Sequence, residues 1–272
     1  MPTVDEIVSP ALVATSPMRS GLGNRLPLVL SAQSIADVEG RTFYYHWPVG
    51  EQDGKRFGAR FDELWEYSGG TAIDEPGPTP AVEFFSQSGF GDLESVRGEP
   101  VISVVGNGAI PQFGGSRHWS TMLPELRPTE EVRDLSAAPL GRLGQEFVGV
   151  QVRAHPTLTH QKTLAESPLE WFIARMLSIR EERPDAVFYL SCDVWSAEER
   201  IREAVSGVVS LPKAGAYNSR EGLIESVADL LVLSRSQRII APYASSFAKL
   251  AWNMARRRIP FETSMEILPG KQ

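Results

Sequence analysis

The sequence predicts an α/β fold built from two Rossmann-like lobes with a cleft between them. In the first half, an apolar run at residues 10–16, a glycine turn at residues 21–25 and an apolar helix follow one another. From residue 147 onwards, strand and helix patterns alternate, which indicates a parallel sheet. The strand at residues 147–153 ends on an arginine. Each half is therefore predicted to carry an anion-binding site at the end of a strand, where open α/β sheets bind ligands.

The first half continues as a strand–helix–strand unit. The helix is predicted over residues 24–38, whose apolar side chains suit packing on a sheet. Gly40 stands where a glycine would end this helix, and residues 41–47 are aromatic and β-branched, as in a strand. Residues 101–105 predict a further strand. Residues 106–122 are rich in glycine and proline and predict a long loop, a kind of segment that is often functional.

The second half is more regular. A Ser-Pro pair at residues 167–168 predicts the N-cap and the first residue of a helix. The predicted elements are, in order, strand 147–153, helix 168–182, strand 187–191, helix 197–205, strand 208–211, helix 221–234, strand 238–241 and helix 246–257.

The boundary between the lobes is predicted near residues 135–146, which contain Ala-Ala-Pro and two glycines. This gives an N-terminal lobe of residues 1–140 and a C-terminal lobe of residues 141–272. The last helix is expected to cross back to the N-terminal lobe.

Composition excludes several classes of protein. The net charge of -7 over 272 residues argues against a nucleic-acid partner, since such proteins usually show a basic face. Cys192 is the only cysteine, so neither an intrachain disulfide nor a cysteine-rich metal site is expected. The first 18 residues lack a signal-peptide pattern, and no apolar run approaches the length of a membrane span. A cytoplasmic protein without a membrane partner is expected.

Arg153 is the strongest candidate for anion binding. It emerges from the apolar strand 147–153, so its charge needs an anionic partner, either a ligand phosphate or an internal carboxylate. The turn Gly21-Leu22-Gly23-Asn24-Arg25 precedes a helix, whose N-terminus favours negative charge. It contains only part of the dinucleotide fingerprint, and a purely structural turn would explain it equally well.

Other polar residues follow the ends of predicted strands. Asp193 is placed to bind a base or a ribose, or to cap the next helix. Ser245 and Ser246 open the last helix, where they suit a pyrophosphate or act as ordinary caps. Asp229 lies in an apolar helix, where a carboxylate is costly unless it is paired. Cys192, which follows an apolar strand, is predicted to be structural.

Motifs of several enzyme classes are missing from the sequence. It contains no Asp-x-Asp pair for a metal-bound nucleotide sugar, no G-x-x-x-x-G-K-[ST] loop and no G-x-S-x-G elbow. Kinase, ATPase and α/β-hydrolase chemistry are therefore disfavoured, and no metal is expected.

Three sets of segments are together similar to a known family. The first is the turn at residues 21–25 with the following helix, Gly40-Arg41 and a strand that ends at Trp47. The second is the strand Val148-Gly149-Val150-Gln151-Val152-Arg153. The third comprises residues 188–193, residues 229–234, Ser245-Ser246-Phe247 and Ala251. These segments resemble the fucosyltransferase-like superfamily, which includes nodulation-type α1,6-fucosyltransferases and protein O-fucosyltransferases, over residues 10–47 and 147–256.

The resemblance implies a glycosyltransferase fold of the B type and an inverting, metal-independent transfer from a GDP-sugar, without a cofactor. It implies that residues 1–140 bind the acceptor and that residues 141–272 bind the nucleotide-sugar donor. The candidate catalytic residues are Arg153, His155 and Asp193, with Arg153 on the donor pyrophosphate. The candidate donor-binding residues are Gly21, Gly23, Asn24, Arg25, Gln151, Arg153, Asp193, Asp229, Ser245, Ser246 and Phe247. Candidates for a general base are His118, His155, His160 and Asp193.

The chain departs from the family pattern at the arginine strand. Gln151 stands where the family has a histidine, and Ala154-His155-Pro156 replaces its polar residues. The donor sugar and the acceptor hydroxyl are therefore open. The alternative function is a non-catalytic protein that binds a sugar nucleotide or a glycan, and a weaker alternative is a dinucleotide-dependent oxidoreductase.

Overall fold

The structure, a computed structural model, describes residues 7–75, 81–85, 89–156 and 161–271. The chain divides into two compact units. The first comprises Met1–Thr129 and Asn218–Leu223, and the second comprises Glu130–Tyr217 and Ile224–Gln272.

The first unit contains the predicted strand–helix–strand arrangement as β1 (Ala11–Thr15), α1 (Leu22–Glu39) and β2 (Thr42–His46). Gly40 ends α1 with φ 64°, and its N–H reaches the carbonyls of the last helical turn. This confirms the predicted glycine cap. The remaining elements are β3 (Gly50–Gln52), β4 (Lys55–Phe57), α2 (Phe61–Leu64), β5 (Trp65–Glu66), β6 (Thr71–Ile73), β7 (Ala81–Phe85), β8 (Gly89–Phe90), β9 (Val101–Asn107) and β10 (Arg127–Pro128).

The main sheet of the first unit has the strand order β6-β2-β1-β9-β7-β8 and is parallel except at β8. Helix α1 is buried on nearly all sides over its first four turns, as expected for a helix inside a layered fold. The predicted strand at residues 101–105 is confirmed and extends to Asn107. The segment after it, predicted as a long loop, contains the short 3-10 turn Trp119–Thr121.

The second unit begins with a helix. Its elements are α3 (Glu130–Leu143), β11 (Val148–Val152), α4 (Gln161–Glu166), α5 (Leu169–Glu182), β12 (Phe188–Cys192), α6 (Trp195–Ala204), β13 (Val208–Val209), α7 (Arg220–Leu233), β14 (Arg238–Ile240), α8 (Ser246–Met254), β15 (Phe261–Glu262) and β16 (Ile267–Leu268). The first residues of α7 belong to the first unit.

The sheet of the second unit has the order β13-β12-β11-β14-β15-β16 and is parallel except at β16. This confirms the parallel sheet predicted from the alternating pattern. Strands β11 and β12 are buried along their whole length, which explains their nearly continuous apolar sequences. Their side chains form one core with α5 and α6. Because β11, β12 and β14 run in the same direction, their carboxyl ends lie at one edge of the sheet.

Three sequence expectations differ from the structure. Residues 135–146 were expected to join the lobes, but most of them lie in α3, where Pro139 is buried within the helix; the second unit begins at Glu130 rather than at residue 141. The last helix, α8, belongs to the second unit, and the segment that joins the first unit is Asn218–Leu223. Pro168 rather than Ser167 is the N-cap of α5, because the Ser167 hydroxyl accepts the Tyr243 N–H instead.

No helix in the described ranges is long and apolar enough to cross a membrane.

The segment Asn218–Leu223 is held within the first unit by two contacts. The Gly58 N–H donates to the Asn218 carbonyl at 2.9 Å, and Arg220 Nε lies 2.8 Å from Glu63 Oε1. A β-carbon on Gly58 would lie 2.7 Å from the Arg220 backbone nitrogen. A glycine is therefore required at position 58 for this close approach of two backbones.

We predict that Gly58→Ala lowers the free energy of unfolding by about 1–3 kcal/mol, because two backbone segments must move apart. Urea denaturation measures this loss. Gly98→Ala is the matched control, since its β-carbon would meet no atom within 4 Å. Equal stability of the two variants would show that the contact between Gly58 and Asn218–Leu223 is not closely packed.

Candidate functional site

The carboxyl edge of the second unit's sheet collects most of the predicted site residues. Arg153 follows β11, Asp193 follows β12, and Ser245 lies between β14 and α8. Strand β11 lies between β12 and β14 in the sheet. The parallel topology therefore brings together residues that are far apart in the sequence, as it does in other open α/β sheets.

Asp193 fixes the turn that follows β11. Its Oδ1 accepts the N–H of Ala154 at 2.7 Å and that of His155 at 3.1 Å. Helix α6 is capped by Val194, so Asp193 does not have the capping role that was one of its two expected functions. The carboxylate instead joins the ends of two neighbouring strands. This bond determines where Arg153 and His155 leave the sheet.

Arg153 and His155 share a partner, Tyr217. Arg153 Nη2 donates to the Tyr217 hydroxyl at 3.1 Å. The rings of His155 and Tyr217 are stacked, with centroids 4.4 Å apart and an angle of 15° between their planes. His155 Nδ1 is buried and has no hydrogen-bond partner among the residues that the structure describes. His160 lies outside the described residues.

A hydrogen bond joins the side chains of Gln151 and Ser245 at the start of α8. The Ser245 hydroxyl donates to Gln151 Oε1 at 2.9 Å and accepts the Ala248 N–H at 3.1 Å. Ser245 is therefore an N-cap, and both side chains are buried. Ser246 and Phe247 form the first turn of α8 and are half-buried. The first N–H groups of a helix have no partner within the helix, so this turn suits an anion.

Asp229 is paired inside the protein. It is 1% exposed, and its carboxylate accepts the hydroxyls of Tyr189 and Ser191. Lys213 Nζ lies 2.8 Å from Asp229 Oδ2 and donates to the Cys192 carbonyl at 2.7 Å. These bonds supply the partner that a carboxylate in an apolar helix requires. Asp229 is therefore a structural residue that joins α7 to β12 and to the segment that carries Lys213.

Lys213 was missed by the sequence reasoning. It lies in the irregular segment after β13, where nothing in the local pattern marks it as the partner of a buried carboxylate. Desolvation lowers the pKa of Lys213, but the charge and hydrogen bond of Asp229, together with the nearby Asp193 and Cys192, raise it, so the net shift is upward. Asp229, a carboxylate in an apolar helix, was the one signal in the sequence that a partner for it was needed.

The glycine turn of the first unit is organised by Arg25. This side chain is fully buried and donates to the carbonyls of Ser20, Met18 and Pro48 at 2.8–2.9 Å. Its guanidinium also lies 3.6 Å from the ring centroid of Phe57. Burial lowers the pKa of Arg25 to about 9, which leaves it charged at neutral pH. The guanidinium therefore binds the protein's own carbonyl groups, and contact with a ligand would require breaking these bonds.

The other residues of this turn are more accessible. Gly21 is exposed at the N-cap position of α1, and Gly23 and Asn24 are half-buried in its first turn. All three belong to the first unit, whereas Arg153, Asp193 and Ser245 belong to the second.

Two further candidates have other local partners. His118, also in the first unit, caps a 3-10 turn, and its Nδ1 lies 2.8 Å from the Ser120 hydroxyl. Its ring lines a cavity of about 300 Å³ beside α1. The thiol of Cys192 is buried and donates to the Val194 carbonyl, and burial raises its pKa to about 11. A thiol in this state is a poor nucleophile.

The described ranges contain no group of three or more histidine, cysteine or acidic side chains that could hold a metal ion.

Solved structures of fucosyltransferases share this fold. NodZ α-1,6-fucosyltransferase soaked with GDP-fucose matches with a TM-score of 0.64 at 19% identity, over 96% of this chain and 99% of that chain. NodZ from Bradyrhizobium matches with a TM-score of 0.65 at 18% identity, over 97% and 100% of the two chains. POFUT1 in complex with GDP-fucose matches with a TM-score of 0.61 at 12% identity, over 93% and 98%. The predicted fucosyltransferase-like fold is therefore confirmed.

Neither a family model nor a curated protein matches this sequence.

We predict that Arg25→Met lowers the free energy of unfolding by at least about 3 kcal/mol, because several buried carbonyls lose their donor. Urea denaturation measures the change. Arg19→Met removes an exposed charge from the same loop and is expected to change stability by no more than about 0.5 kcal/mol. If Arg25→Met instead keeps the stability of the wild type and loses affinity for GDP, Arg25 would have a direct role in ligand binding.

We predict that Lys213→Met lowers the free energy of unfolding, measured by urea denaturation, by about 1.5–3 kcal/mol, since it removes a charged donor from the buried Asp229 carboxylate. Adding Asp229→Asn removes that charge, so the double variant is expected to recover part of the loss. Because the folded-state pKa of Lys213 lies above its ordinary value of 10.5, the wild-type contribution is present below pH 10.5 and is lost as the pH rises through the folded-state value. Equal stability of the single and double variants would contradict this pairing.

Proposed function

We propose that this protein is a metal-independent, inverting glycosyltransferase that uses a nucleotide diphosphate sugar, with GDP as the nucleotide. The observation that carries the proposal is the carboxyl edge of the second sheet. There an arginine follows β11, a carboxylate fixes its turn, and the N-terminus of α8 begins at Ser245. The fold is shared with structures bound to GDP-fucose, which supports a nucleotide-sugar donor.

The proposed chemistry requires stabilisation of a departing diphosphate. A guanidinium engages two phosphate oxygens at once, so Arg153 is assigned to the pyrophosphate. The first turn of α8, with Ser245, Ser246 and Phe247, supplies backbone N–H groups for the same negative charge. No divalent metal is then needed.

The proton of the acceptor hydroxyl needs a base during direct displacement. His155 and Asp193 are the proposed candidates in the second unit. His155 offers a buried Nδ1, and both backbone hydrogen bonds to Asp193 use Oδ1. Gln151 is not a candidate, because a neutral amide does not take up a proton near neutral pH.

We further propose that the two units are the lobes of a B-type glycosyltransferase. The first unit, close to the predicted residues 1–140, is assigned to the acceptor. The second unit, close to the predicted residues 141–272, is assigned to the donor. Gly21, Gly23 and Asn24 are proposed to contribute to donor binding through the start of α1.

A non-catalytic protein that binds a sugar nucleotide is the second candidate function. Gln151 favours it, because its Oε1 accepts the Ser245 hydroxyl and the family histidine is missing. Hydrolysis of a GDP-sugar, with and without EDTA, separates the two functions: only an enzyme releases GDP. Detectable binding of NAD(P) would instead favour the weaker alternative of an oxidoreductase.

We predict that GDP raises the melting temperature more than UDP, dTDP or ADP does, and that EDTA leaves the shift unchanged. A ligand present at about 100 times its Kd stabilises the folded protein by about 2.7 kcal/mol. A thermal-shift series at equal nucleotide concentrations measures this. A preference for UDP, or a shift that depends on a divalent metal, would overturn the GDP assignment.

We predict that Arg153→Ala is nearly inactive and that Arg153→Lys is also poor, because an ammonium cannot replace the two-pronged guanidinium. The loss in rate for one such contact is about 10²–10³-fold, by analogy with other preorganised donors. Calorimetry with GDP on the folded Arg153→Ala variant is the direct measurement. Unchanged GDP affinity would remove Arg153 from the site and leave it with a structural role.

A further inference from the structure

We propose that Tyr217 is a positioning residue that holds the Arg153 guanidinium in place for the donor diphosphate. The inference rests on the proposed function and names a residue that neither the sequence motifs nor the family resemblance identified. Tyr217 is far from Arg153 in the sequence, and the two meet because the segments after β11 and β13 emerge at the same edge of the sheet.

The segment that carries Tyr217 is anchored at two points. The carboxylate of Glu225, on α7, accepts the N–H groups of Ala214 and Gly215 at 2.8 and 3.0 Å. Lys213 is tied to the end of β12 and to Asp229. Glu225 and Asp229 are both buried, so the segment is attached to side chains inside the second unit. An otherwise irregular segment thus presents Tyr217 in a fixed position.

Tyr217 makes two different contacts with the turn after β11. Its hydroxyl accepts from Arg153 Nη2, and its ring stacks on His155. The Asp193 carboxylate holds the backbone of the same turn. Arg153 is therefore restrained at its backbone and at its guanidinium by two neighbouring segments. Such restraint lowers the entropy lost when the guanidinium binds a ligand.

The exposure of Tyr217 supports a role in the site. The residue is 43% exposed, so its ring is not needed to fill the core of the second unit. A hydrogen bond in such a place contributes little to folding. Its removal is expected to change ligand affinity while leaving the melting temperature close to that of the wild type.

The test is a double-mutant cycle of Tyr217→Phe and Arg153→Ala, with GDP and inorganic pyrophosphate as the calorimetric ligands. Tyr217→Phe keeps the stacked ring and removes only the hydroxyl. It is expected to weaken both ligands by a similar factor, about three- to tenfold, as for one hydrogen bond. In the Arg153→Ala background the same change is expected to have no effect, because the hydroxyl acts through that arginine.

Two further variants complete the design. Tyr217→Ala also removes the stacking on His155 and is expected to weaken GDP more than Tyr217→Phe does. Tyr44→Phe is the matched control, since it removes a hydroxyl that accepts the Val8 N–H within the first unit. This control is expected to leave both affinities unchanged.

The outcomes separate this inference from the proposed function. If GDP binds and depends on Arg153 while Tyr217→Phe behaves as wild type, the inference fails and the function stands. If Tyr217→Phe weakens GDP but not pyrophosphate, the residue contacts the nucleoside and the positioning role is overturned. If the wild type binds neither ligand, both the function and the inference are overturned.

Discussion

The site depends above all on the bond between one carboxylate and two backbone N–H groups. Strands β11 and β12 pair in parallel register, with Val152 opposite Cys192, so the residues that follow them emerge side by side. Asp193 uses this proximity to hold the N–H groups of Ala154 and His155. The direction of Arg153 then follows from the backbone. A charge-assisted bond of this kind is stronger than a neutral one, which suits a turn that must stay fixed.

An ion pair between the buried Asp229 and the partly exposed Lys213 lies beneath the same edge of the sheet. Taking the Asp229 carboxylate out of water is costly, and an apolar residue of similar size would often be at least as stable. The value of the pair therefore lies in placement. Lys213 joins the end of β12, helix α7 and the segment that carries Tyr217, and no apolar residue could make those directed bonds. Polar groups held in this way suit the proposed binding of a diphosphate at this edge, because they would not have to reorganise.

Much of the fold and part of the site could be predicted from the sequence. Apolar runs that end in polar residues marked β11 and β12 correctly, but it is the strand order in the structure that brings the residues after them together. Lys213 and Tyr217 could not be predicted, because their partners are distant in sequence and their segment has no periodic pattern. Arg25 resembled a ligand-binding residue, but carbonyl groups of neighbouring loops surround it. Helix α3 was missed because Pro139 and the nearby glycines are typical of a linker, whereas packing of its apolar side favours a helix.

Hydrogen–deuterium exchange with and without GDP tests the central claim most directly, since it reports on backbone N–H groups along the whole chain. If the carboxyl edge of the second sheet binds the donor diphosphate, GDP should slow exchange in the first turn of α8, at residues 245–248. It should also slow exchange in the turn at residues 153–155. Protection confined to other segments, such as residues 108–119 beside the cavity of the first unit, would contradict the account.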